Sequence, residues 1–178
     1  VDTDLRETGS IEDVRRYAVA TCPCCGNTDY TWNLQAPDDL DEAERAALAE
    51  ALEFDPSAPR RAGSRVATDF QRLERARTCF VARGLEASSL AELALLAYYV
   101  ARDLGRRDLE PRLRDEAAAL FEQAIAEEDL PPSLLVRDAY LAGELARRAG
   151  RREAALAAFD RAVEAAEEAE AEGDAPPA

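Results

Sequence analysis

Apolar and polar residues alternate over two short stretches early in the chain and then take up a helical period that holds to the end. Tyr17, Val19 and Thr21 share one side of a strand, and Tyr30, Trp32 and Leu34 share one side of a second. Alternation with a period of two is the pattern of a half-buried strand. Between the two lies Cys22-Pro23-Cys24-Cys25-Gly26-Asn27, a tight turn rich in residues that tolerate positive φ. The pattern predicts one two-stranded ribbon and no other β-structure.

From Asp38 onward the expectation is helix. Asp38 or Asp39 caps a helix to about Phe54, which Asp55-Pro56 ends. Residues 56–64, with Pro56, Pro59 and Gly63, read as a linker. Ser64 opens a helix whose apolar stripe is Val66, Phe70, Leu73 and Phe80, stopped by Gly84. Ser89 and Glu92 have the spacing of a capping box for the next helix, which stops at Gly105. Pro111 falls in the first turn of a helix to about Glu128, where its missing N–H does no harm. Pro131-Pro132-Ser133 starts another, stopped by Gly150, and the last helix runs from about Arg152 to Glu172.

Two of these helices share one spacing. Ala117, Phe121, Ala124 and Ile125 recur as Ala155, Phe159, Ala162 and Val163. This is the second-helix pattern of tetratricopeptide hairpins, in which small residues admit a neighbouring helix and the aromatic fills the gap between layers. The last pair extends the match, with Gly143 at the small position where paired helices cross and Gly150 in the turn. Ala139, Ala146 and Glu167 depart from the usual Trp, Tyr and Pro. In the earlier pair Tyr98 takes the small position and the turn is longer. Phe121 and Phe159 are expected in the core, each wedged between its own hairpin and the next.

Composition narrows the chemistry. The chain has no His and no Met, and all 22 of its basic residues are Arg. Without His, serine and cysteine triads of the usual kind are excluded within this chain. A net charge of -15 argues against nucleic acid or anionic membrane as a partner and for a solvated surface. No apolar run reaches the roughly 18 residues of a membrane span, and Val1-Asp2-Thr3-Asp4 has no signal-peptide character. The expectation is a cytoplasmic protein.

The chemistry that remains is thiol chemistry. Cys22 and Cys25 have the spacing of one half of a tetrahedral metal site, and zinc in a closed structural site takes four ligands. Cys24 is vicinal to Cys25 and faces away from such a knuckle. Cys79 lies off the Val66–Phe70–Leu73 stripe and reads as a small packed residue. It becomes a ligand only if its helix packs on the ribbon with the side chain turned to the knuckle. A redox reading of the cysteine cluster is the alternative. In thioredoxin-like enzymes, however, the motif opens a helix whose N-terminus lowers the first thiol's pKa, and here Gly26-Asn27 and a strand follow.

With both parts in place the chain resembles an uncharacterised bacterial family, domain of unknown function 2225. The residues that carry the likeness are 2–6, 17–26 with Cys22 and Cys25, 40–45 and 139–150. The resemblance implies two CPxCG knuckles followed by a helical, repeat-like half. Cys22 and Cys25 would be the second metal pair, with the first expected upstream of Asp2. It implies no defined activity.

The expected fold is therefore mainly α: antiparallel helical hairpins of tetratricopeptide type behind a small N-terminal zinc-ribbon-like hairpin. The expected division is a CPxCG knuckle at 1–37, a connecting helix and linker at 38–64, a helical domain at 65–172 and an acidic tail at 173–178. The expected function is a non-enzymatic scaffold that binds another protein through a helical groove. Zinc is its expected cofactor, held by Cys22 and Cys25 in a site this chain leaves incomplete. The alternative is a thiol-based redox or metal sensor.

Overall fold

The structure is a computed structural model and describes residues 15–22, 25–35, 39–52, 69–127 and 132–172. Its contacts divide the described residues into two units, one ending at Leu85 and one beginning at Glu86. Each is described by itself. Among the described residues there are two strands and six helices, so the protein is mainly helical with a small N-terminal sheet.

In the first unit β1 (Val19–Thr21) and β2 (Thr28–Tyr30) pair antiparallel, with Val19 opposite Tyr30 and Thr21 opposite Thr28. The second strand ends at Tyr30 rather than running on to Leu34. Asn33 turns the chain there: its N–H donates to the Tyr30 carbonyl at 2.9 Å and its side-chain amide to Asp29 Oδ2 at 3.2 Å. Trp32 consequently leaves the alternation and stacks on Tyr30, with the ring centroids 4.8 Å apart.

Helix α1 (Glu42–Ala51) is capped by Asp41, not by Asp38 or Asp39. Asp41 accepts the Glu44 N–H at 2.8 Å while Glu44 accepts the Asp41 N–H, a reciprocal pair that satisfies two end donors. The start is late because Leu40 is drawn into the core with Leu48 and Cys79. Helix α2 (Asp69–Ala82) buries Leu73, Ala76, Cys79 and Phe80 and packs on both strands and on α1. Its expected beginning at Ser64 and Val66 lies outside the described residues. Gly84 ends it in the left-handed region at φ 65°, which lets the Leu85 N–H close on the Phe80 carbonyl.

The second unit is a row of four helices: α3 (Ala87–Asp103), α4 (Glu110–Ala126), α5 (Pro132–Arg148) and α6 (Arg152–Glu172). Each packs on its neighbour in sequence. Short connections make such neighbours antiparallel, and Arg114 near the start of α4 donates to the Arg148 carbonyl at the end of α5. The Ser89–Glu92 capping box does not form. Helix α3 begins three residues earlier, at Ala87 with Glu86 as its N-cap, and Glu92 turns instead to Arg137 on α5.

Phe121 is fully buried, with Ala117, Ala118 and Ala124 around it on α4. Phe159 differs from the expectation: it is only half-buried, held on one side by Gly143 and Tyr140 while Leu156 and Val163 on the same helix are exposed. Among the described residues no helix is long and apolar enough to cross a membrane.

Candidate functional site

The cysteine turn is built by its own backbone. The Gly26 N–H donates to the Cys22 carbonyl at 2.9 Å, and the Cys22 N–H donates to the Asn27 carbonyl at 2.7 Å. Closing so tight a loop puts Gly26 at φ 76°, a conformation that a side chain would strain. Cys22 and Cys25 are half-buried and carry thiols rather than a disulfide. Thiols are soft donors, and a closed zinc site takes four such ligands where this turn carries two. Cys24 lies outside the described residues.

Helix α2 does pack on the ribbon, and Cys79 does reach toward the turn. Its Sγ accepts the Thr28 N–H at 3.3 Å, two residues past Gly26. Even so, among the described residues no group of three His, Cys, Asp or Glu side chains is gathered where one metal ion would sit. Cys79 is fully buried beside Leu40 and Leu48. Burial pushes its thiol up, although the Thr28 N–H and Arg75 work the other way. A buried thiol of this kind packs as a small apolar side chain. The ribbon therefore places Cys22 and Cys25 together and assigns Cys79 to the core.

Asp29 has a role that its sequence context does not announce. It is completely buried, and one of its oxygens accepts from Arg83 at 2.9 Å and from Asn33. Its other oxygen takes the Tyr30 N–H at 2.7 Å. Arg83 in turn bonds Glu44 at 3.0 Å and Gln35 at 3.3 Å. Burial alone would lower the Arg83 pKa, but the hydrogen bonds to Glu44 and Asp29 raise it. This hub joins β2, α1 and the end of α2 and holds the surface on which the cysteine turn stands. The only signal for it in the sequence is an acid in mid-strand, Thr28-Asp29-Tyr30. Asn27 is also fully buried, and its side-chain amide has no hydrogen-bond partner among the described residues.

Comparison with known proteins returns one family, described as an uncharacterized protein conserved in bacteria (DUF2225), whose profile matches residues 1–174. No curated protein and no solved structure matches.

Proposed function

The chain belongs to that bacterial family, and from this premise we propose that it is a non-enzymatic scaffold whose row of helices binds another protein. The observation that supports the reading most is the repetition within the row. Positions 117, 121 and 124 of α4 recur as 155, 159 and 162 of α6, and Ala117, Ala124, Ala155 and Ala162 are all buried. Stacked helical hairpins of tetratricopeptide type present extended surfaces and grooves that take peptides and partner helices.

In this reading the ribbon is structural, and Cys22 and Cys25 contribute two of the four ligands of a zinc site of zinc-ribbon type. Zinc there would neutralise the thiolates and stiffen the turn. The acidic surface keeps the protein in solution and away from nucleic acid.

The test sets binding against turnover. The whole chain serves as bait in a bacterial extract, and a glutathione-coupled assay is run on it and on its Cys22→Ser and Cys25→Ser variants. The scaffold predicts one recurring partner, retained by both variants, and no thiol turnover. Turnover that disappears with Cys22 or Cys25 would replace it with the redox sensor.

A further inference from the structure

Helix α6 carries on its outer side the face that, on α4, the next helix covers. The two helices are related by the 38 residues between Ala117 and Ala155. On α4 the covered face runs through Arg114, Ala118 and Glu122, spaced four apart and so aligned on one side of the helix. Arg114 bonds the last carbonyl of α5 at 3.0 Å, Ala118 is fully buried, and Glu122 pairs with Arg151 at 3.0 Å. The equivalent residues on α6 are Arg152, Leu156 and Asp160, with Val163 one turn on in place of Ile125. All four are exposed, Leu156 by 53% and Val163 by 58%.

The charges on α6 also run largely against its dipole, Glu153 being the one acid in its first turn. Helices favour acidic residues at the N-terminus and basic ones at the C-terminus. Here Arg152 opens the helix, Glu164, Glu167, Glu168 and Glu170 crowd its second half, and the last turn has no basic residue. An antiparallel helix of the same sequence corrects both ends at once. Placing a twofold axis between positions 159 and 160 sets Leu156 opposite Val163 of the second copy and Arg152 opposite Glu167 of the second copy. Each pairing then occurs twice.

We propose that the outer face of α6 docks on the same face of a second copy of this chain, giving a twofold-symmetric, antiparallel dimer. The inference stands on the repeat and on charge complementarity, and does not depend on which partner the rest of the row binds. Twofold self-association is the commonest form of assembly, and it requires a patch complementary to itself, as this one is. One contact is unfavourable: the Asp160 carboxylates of the two copies approach each other beside the axis. That predicts a dimer of moderate strength, one that removal of this charge tightens.

The experiment is sedimentation equilibrium of the whole chain over a range of concentrations at low and high salt. A monomer–dimer equilibrium is expected, with salt screening the mutual repulsion of two chains of net charge -15. Leu156→Glu and Val163→Glu should each abolish it with the helical circular dichroism intact, since both side chains are exposed. Arg152→Glu and Glu167→Arg should each weaken it by about tenfold or more, because each change creates two like-charge contacts. The double variant should restore it, and Asp160→Asn should strengthen it. A chain that stays monomeric throughout, or an oligomer indifferent to Leu156→Glu, overturns the proposal. Failure of the double variant to recover overturns the antiparallel register.

Discussion

The ring of Phe159 occupies the space that a side chain at Gly143 would need: a Cβ built there would lie 2.6 Å from the ring's Cδ1 and Cε1. Glycine in mid-helix costs about 1 kcal/mol relative to alanine, so its presence in α5 has to be offset by what it admits. What it admits is the close crossing of α5 and α6. We predict that Gly143→Ala lowers stability by about 1–2 kcal/mol, overpacking outweighing the gain in helix propensity. Combined with Phe159→Ala, which makes room, the same change should cost nothing further. Urea melts of the two single variants and the double variant check the non-additivity.

Removing one member of the Asp29–Arg83 pair should be costly and unequal. Arg83→Ala leaves a completely buried carboxylate with only Asn33 and the Tyr30 N–H as partners, and we expect a loss of about 3–5 kcal/mol. Asp29→Asn leaves Arg83 bonded to Glu44 and Gln35 and should cost clearly less. Equal losses in denaturant titrations would contradict the hub.

How far this arrangement is legible in the sequence depends on whether the signal is local. The left-handed stops at Gly84, Gly105 and Gly150 are legible because a positive φ selects glycine at one position, and all three have it. The Gly143 contact is legible through the repeat spacing. The cap at Asp41 is less so: three acids precede α1, and Leu40 entering the core decides among them. Asp29 and Arg83 lie 54 residues apart, and no local rule couples a strand acid to an arginine past a helix end. Ser89 and Glu92 fit a capping box by spacing, but a tertiary partner, Arg137, takes Glu92 away. The half-exposure of Phe159 follows from its being held on one side only, by Gly143 and Tyr140, which its own helix does not encode.

The acids of the α3–α5 contact set a pH dependence. Burial raises the carboxyl pKa of Glu92 and of Asp138, outweighing the opposing pull of Arg137 in both cases. A carboxyl that is harder to ionise in the folded than in the unfolded chain contributes stability below its unfolded pKa. That contribution is lost as pH rises through the folded value. The window therefore opens near the ordinary carboxylate range, at roughly pH 4, and extends upward. Glu92→Gln abolishes one titration, so its stability relative to the parent should increase as pH rises across that window. A constant difference in melts taken at several pH values would contradict the assignment.

Cys79 and the cysteine turn should separate by metal content. Cys79→Ala removes the acceptor of the buried Thr28 N–H and should cost about 1–3 kcal/mol while leaving zinc per chain unchanged. Cys22→Ser and Cys25→Ser should lower whatever zinc the parent carries. Elemental analysis of the purified variants decides. A drop in zinc on changing Cys79 would make it a ligand.

A helical row that binds another protein should be crosslinked to it from its exposed positions. A photoreactive residue is placed at Leu134, exposed near the start of α5. The same residue placed at Tyr17 on the ribbon serves as the comparison. In living bacteria the account predicts that Leu134 captures one recurring protein in high yield and that Tyr17 does not. Capture of a recurring partner only from Tyr17, or from neither position, would contradict it.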